Sequence, residues 1–368
     1  MNPPPPPFSK GGSAESGEAT YPDLSRRHFL SALGALFGTL ALPARATSLQ
    51  PRLAASWQRG SAYQVGLLAL AGDKVEVAAA LDLPTRAHGL LWEAAGTLLA
   101  VARRPGDWLL RWNAAGEPLA WRWIEPGRAF TGHVVASADG ATLYTPETDL
   151  ETGAGLIGVR DAASLEKQAE WPTHGIDPHQ LLTDAQGRLW VANGGVPTRP
   201  ETGRAKVDLP AMDASLACLA GRDGSLLGQW RLADRRLSLR HLAWNGGRLG
   251  IALQSEHDDP ARRAAAPVLA VFDGRDLLTA GGPPLAGYGG DVARLGDGFA
   301  VSCPRAQGVA CFGPAGEWRG LWPLPEACAL SQEGPEPWAG GRDAVLAGAT
   351  ALALPPGLRL DNHWLRLG

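Results

Sequence analysis

The sequence predicts an all-β chain folded as a seven-bladed β-propeller. Three observations carry that expectation: a composition rich in turn formers and aromatic residues, a histidine-led pair of strands that recurs, and a spacing that fits one blade. The 368 residues include 47 glycines, 30 prolines and 14 tryptophans. Glycine and proline punctuate turns, and aromatic residues suit strands. With 45% hydrophobic and 19% charged residues, the chain can bury a large core. A net charge of −3 provides no basic field of the kind that draws nucleic acid.

The recurrence shows when four stretches are aligned on histidine. His88 begins HGLLWEAAGTLLAVARR, His133 begins HVVASADGATLYTPE, His179 begins HQLLTDAQGRLWVANGG and His241 begins HLAWNGGRLGIALQSE. Each runs through an apolar stretch, a Gly-containing turn and a second apolar stretch, which is two short strands joined by a hairpin. The intervals are 45, 46 and 62 residues. The first two match a four-stranded blade of roughly 40–50 residues. The third is lengthened by the insertion VPTRPETGRAKVDLPAMDAS.

DVARLGDGFAVSCP from Asp291, and CALSQEG from Cys328 with AVLAGATALAL after it, repeat the pattern without a histidine. YQVGLLAL and KVEVAAALDL supply a short unit ahead of His88. Units starting near Tyr63, His88, His133, His179, His241, Asp291 and Cys328 make seven, the economical count, with six or eight blades as the alternatives. Because the first is truncated, strands from the two ends of the domain are expected to share a blade, which removes open sheet edges. Asp161 to Trp171 fits either a helical turn or a blade's outer hairpin.

The chain divides into three parts. Residues 1–24 form a Pro-, Gly- and Ser-rich extension, expected to be disordered. Residues 25–46 read as an export signal: SRRHFL, a short apolar run and a small-residue cleavage site at ARA. Arg26 and Arg27 resemble a twin-arginine signal, and the apolar run is too short for a comfortable membrane span. The expected location is therefore the periplasm, with no integral membrane segment after cleavage. Residues 47–368 form a single propeller domain.

In a propeller the first strand of each blade lines the channel, and a residue just ahead of it stands at the channel mouth. His88, His133, His179 and His241 come from successive units and should converge there. Neutral imidazole binds zinc, copper, iron and nickel, so the ring is a candidate metal site. Equally, a repeated histidine can bond the backbone of the neighbouring blade and nothing else. Arg86, Asn193 and Arg240 are candidate cofactor-binding residues at the same face. Arg103, Arg104, Glu147, Asp149, His174, Asp177 and Arg305 are expected nearby.

Met212, in the insertion, offers a soft thioether that would favour copper or haem iron, unless it simply packs. The insertion itself is a candidate lid. Cys218, Cys303, Cys311 and Cys328 either form disulfides, with Cys303 and Cys311 facing across a hairpin, or remain buried thiols. Neither Cys-x-x-Cys nor a haem-attachment motif occurs. The chain also lacks G-x-S-x-G, H-E-x-x-H and a P-loop, so no catalytic residue is assigned.

The segments LPTRAHG, VARRPG, GHVVASADGATLYTPETDLETGAGLIGVRDA, HGIDPHQL, VANGGVPTRPETGRAKVDLPAMDASL, LSLRHLAW, GYGGDVA and SCPRAQG follow one another along most of the chain. In them the sequence resembles the twin-arginine-exported bacterial family called domain of unknown function 1513. The resemblance implies a seven-bladed propeller of the quinoprotein-like or YVTN-like kind. It also implies a genetic setting beside imelysin-like iron-regulated proteins and a dihaem thiol-oxidoreductase-like protein. That setting suggests iron or copper handling with a periplasmic or inner-membrane protein partner. The chain departs from the family pattern at Ala129 and Arg199, where relatives carry histidine, and at Gln180, where they carry glutamate. His88, His133, His174, His179, His241 and Met212 are retained.

Three functions are thus open: a propeller that handles iron or copper (or haem) through its histidines, a metal-free protein-interaction platform, and a channel-based lactonase or quinoprotein-like oxidoreductase.

Overall fold

The computed structural model describes residues 51–197, 208–331 and 337–367. The expected extension and export signal, and residues 198–207 of the insertion with Arg199 among them, lie outside the described residues. Leu49–Gly368 form one unit by their contacts. The unit is all-β and propeller-like: its sheets are chiefly antiparallel meanders of four strands, laid one after another along the chain. Besides strands, the described residues hold one α-helix, Pro260–Ala265, and two short 3-10 turns. No helix among them is long and apolar enough to cross a membrane.

Strand position within a blade explains sequence pattern. Second strands such as Leu98–Ala102 (LLAVA) and Leu189–Asn193 (LWVAN) are buried at every residue. Covered on both faces by neighbouring sheets, they read as continuous apolar runs. Outer strands such as Trp318–Pro323 are mostly exposed. The core is a series of layers between sheets. One layer packs Val65 and Leu67 of one sheet against Leu98, Ala100, Trp108 and Trp112 of the next. Both tryptophans are fully buried, and truncating either to alanine would cost about 3–5 kcal/mol.

The truncated first unit is completed from the other end of the domain. Leu358–Arg366 pairs antiparallel with Pro51–Arg59, which pairs with Ala62–Ala71, which pairs with Lys74–Leu83. The last strand is thereby the innermost one of that group. Asp161 to Trp171 is a hairpin rather than a helical turn: Ala154–Asp161 and Lys167–Ile176 pair across it.

The innermost strands meet side by side. Leu358–Arg366 lies against Ala87–Trp92 and Ala329–Leu330, and Pro178–Thr183 lies against Val135–Ala136 and Leu237–Asn245. Leu237–Asn245 in turn contacts Val292–Leu295. This ring of strand starts is what positions the site.

All four cysteines are free. Cys303 faces Gly308 across its hairpin and Cys311 faces Ala300, so the two do not bridge. Burial pushes the Cys303 thiol up to about 12 and the Cys311 thiol up to about 11.

Candidate metal centre

Local irregularity aims the histidines. Pairing register slips between Ala87 and Leu90, between Pro178 and Leu181, and between Leu239 and Leu242. His88, His179 and His241 sit in these bulges, each on the innermost strand of its sheet. A bulge releases residues from the ladder and re-aims their side chains. His133 stands in the gap between Arg128–Phe130 and Val135–Ala136, which pair with the same neighbouring strand.

Glycine completes the approach. Gly132 has φ +116, and a Cβ there would come within 2.6 Å of the His88 ring. Any side chain at Gly132 would be strained and would displace His88. Its carbonyl accepts the Gly89 N–H at 2.7 Å, tying the two innermost segments together.

The structure brings His88, His133, His179 and His241 together, as expected, and adds His363. His363 lies on the Leu358–Arg366 strand, whose partner register slips between Leu360 and Trp364. Ring centroids of neighbouring histidines lie 4.5 Å (His88–His363), 4.8 Å (His88–His133) and 4.6 Å (His179–His241) apart. His88 and His241 are 6.1 Å apart. One nitrogen from each of His88, His133, His241 and His363 falls within 4.8 Å of the others. His179 joins through Nε2, 3.0 Å from His241 Nε2. Two nitrogens on one ion at 2.0–2.1 Å lie about 2.9 Å apart at right angles and about 4.2 Å apart when opposite, so the widest of these nitrogen spacings must close by a few tenths of an ångström for all four to share an ion.

All five histidines are 2–8% exposed. They form a buried cluster. Burial above all holds His88, His133, His179 and His241 well below the ordinary histidine value, and neighbouring histidines add to it. They are therefore neutral at pH 7, the form that ligates metal. Six ring nitrogens are buried without a partner: both of His88, Nε2 of His133 and His363, and Nδ1 of His179 and His241. Buried polar atoms are normally paired, and this concentration of orphans fits a ligand set.

A carboxylate stands behind the cluster. Asp291 Oδ2 lies 3.3 Å from His363 Nδ1 and also accepts the Leu330 N–H at 3.1 Å. With Nδ1 as the donor, Nε2 of His363 is left as the ligand atom. Asp291 heads the unit that seemed merely to lack a histidine, and there it orients one.

A cavity of about 40 Å³ opens beside His88, His179 and His241. Arg103, Arg104 and Arg240 line it, with Gln254, Tyr288 and Asn362. Asp177, in left-handed backbone at φ 52, ion-pairs with Arg104 and, at 2.9 Å, with Arg240.

Among the other expected residues, Arg86 pairs with Asp361, and its Nη2 donates to Asn362 at 3.2 Å. It thus braces the His363 strand and does not line the cavity. Asn193 is buried and donates to the Thr173 carbonyl at 3.0 Å, a strand-to-strand tie away from the lining. Met212 is buried at the end of the Leu209–Ala211 turn and is likewise absent from the lining. Glu147 is taken up in an ion network with Arg160 and Lys167. Among the described residues, the cavity and the ring-to-ring packing leave no room for a porphyrin, so haem does not fit there.

His363 had a sequence signal. LRLDNHW repeats the pattern of LSLRHLAW, two leucines two residues apart, then polar residues and histidine.

Among curated proteins no significant match is found. The structure is similar to one of Kuenenia stuttgartiensis hydrazine synthase, with TM-score 0.58 and 13% identity over 85% of this chain and 100% of that one. It is also similar to a streptogramin B lyase structure, with TM-score 0.52 and 11% identity over 70% of this chain and 78% of that one. At such identities the likeness carries the fold alone. Over residues 81–367 the chain matches the family described as Protein of unknown function (DUF1513), and it belongs to that family.

Proposed function

We propose that this chain is a seven-bladed propeller that binds one copper or iron ion at its central histidines and serves metal handling in the periplasm. The blade count takes the eight-stranded sheet as two blades, because its halves join through a single parallel pair, Ala353 with Lys74. The twin-arginine motif supports export, a route that suits proteins loaded with a cofactor after folding. The observation that carries the metal reading is the set of six orphaned nitrogens on five buried histidines.

His88, His133, His241 and His363 would hold the ion, and His179 would hold it or exchange with His241. A histidine-bound copper or iron ion supplies Lewis acidity and one-electron chemistry. The chain's own part is to keep the imidazoles neutral, fix His363 through Asp291 and exclude bulk water. With Met212 outside the cavity lining, nitrogen donors alone make the selection, which suits copper(II) or iron(II) over hard ions.

The test is metal content by mass spectrometry of protein exported in its native host, then reloaded with Cu(II) or Fe(II) after chelation. The expected result is about one ion per chain, lost in the His88→Ala/His241→Ala double variant. Unchanged content in that variant would make the cluster structural.

Partner docking is the second reading. Trp318, Leu321 and Trp322 are exposed together on one outer strand, and aromatic side chains of this kind are enriched at interfaces.

A further inference from the structure

The cavity beside the histidines has walls of one charge sign. Arg103, Arg104 and Arg240 line it, and no carboxylate does. Asp177, outside the lining, is shared between Arg104 and Arg240. Arg240 is 1% exposed, lines the cavity, and has a buried Nε without a hydrogen-bond partner. Both nitrogens of His88 and Nδ1 of His179, also on the lining, are orphaned as well. Tyr288 also lines it, and the Arg305 guanidinium lies over that ring, 4.4 Å from its centroid.

Guanidinium groups gathered in a place of low dielectric favour a negative charge among them. Their planar forks match carboxylates and oxyanions, with two donors to two oxygens. A neutral imidazole can donate one more hydrogen bond through its N–H. A volume of about 40 Å³ restricts the ligand to a few heavy atoms. A metal ion on the histidines would add positive charge to the same spot, which raises the demand for an anion.

We propose that this cavity is an anion site, taking a small carboxylate or oxyanion on Arg103, Arg104 and Arg240 beside His88, His179 and His241. With the metal proposed above in place, the anion contributes to its ligand shell; this coupling rests on the metal reading, whereas the anion site itself does not.

The experiment titrates sodium oxalate, and separately inorganic phosphate, into the full mature protein by calorimetry at low ionic strength. Chelated protein and Cu(II)-loaded protein are compared, and metal content is measured in parallel. Oxalate is expected to bind both forms, about tenfold tighter with Cu(II). Arg103→Gln is expected to weaken it by roughly tenfold, the scale of one charge-assisted hydrogen bond. Arg103→Lys should fall between, and neither variant should change the metal content measured without added anion. Arg103 is only half-buried, whereas Arg240 is buried and holds Asp177; urea unfolding of Arg103→Gln and Arg103→Lys checks that both variants keep the parent fold.

If phosphate binds more tightly than oxalate, the site is one for tetrahedral oxyanions, which also supports the proposal. If neither anion binds at millimolar concentration in either form, or if Arg103→Gln binds as the parent does, the anion site is wrong. Binding that depends on Arg103 in a protein that takes up no metal keeps the anion site and removes the metal reading. Equal affinity with and without Cu(II) removes the coupling.

Discussion

Two of the buried polar clusters among the described residues are built on opposite principles. Around Arg160, every charge finds a partner. Arg160 and Glu147 are both fully buried, and Arg160 Nη2 donates to Glu147 at 2.8 Å and Glu125 at 2.9 Å. Lys167 closes the network with bonds of 2.6 Å to Glu147 and 3.0 Å to Glu170. Around His88, by contrast, six ring nitrogens are buried without partners. The first cluster satisfies itself and braces a blade. The second is left open, and an open polar cluster destabilises the free chain unless something binds there. The contrast separates structural polarity from site polarity without any appeal to function.

Acidity should split the two clusters most strongly. The four histidines with lowered values stay neutral when folded but take up protons when unfolded below about 6.5, the ordinary value. Their stability contribution is therefore complete above pH 6.5 and falls away below it. The limit is about 1.4 kcal/mol per pH unit for each histidine. Glu170, held near 2 by hydrogen bonds from Arg128 and Lys167, acts in a lower window. Its contribution is present above its ordinary 4.5 and is lost as pH falls toward 2. Thermal melts of metal-free protein should thus decline from pH 7 to 5, before the carboxylates respond. A flat profile over that range would mean that the histidines are hydrated in solution.

Breaking the closed cluster comes next in size. Arg160→Ala takes one of two cationic partners from the buried Glu147, leaving Lys167, and should cost about 3 kcal/mol, read from urea unfolding. Metal content of the folded fraction should not change. A loss of metal would show that the two clusters are linked.

The smallest expected effect sharpens the open cluster. Asp291→Asn should leave the fold intact and weaken metal affinity by about 10–100-fold, because His363 loses the carboxylate that orients it. Competition with a chromophoric chelator measures this. Unaltered affinity would place His363 outside the ligand set.

Much of this was legible in the sequence. The hairpins recur because each blade must bury the same faces, and His88, His133, His179 and His241 mark one position in that recurrence. His363 escaped the alignment because its strand closes the ring apart from the other strands of its blade. Asp291 looked like an absence, since sequence similarity does not show that a carboxylate can act on another blade's histidine. The bulges were also invisible: a one-residue slip depends on pairing partners, not on local composition. Asn193 and Met212 were placed by proximity in sequence to the histidines, and the pleat and the inserted loop carried them elsewhere.

The pairing of Leu358–Arg366 with Pro51–Arg59 carries one more implication. His363 reaches the other histidines only after the two most distant strands of the domain have found each other. The complete donor set is consequently a late product of assembly. A chain stalled before closure, or clipped ahead of Leu358, would lack both His363 and the strand that seals the sheet. Occupancy of the full set would therefore report that folding had run to its end.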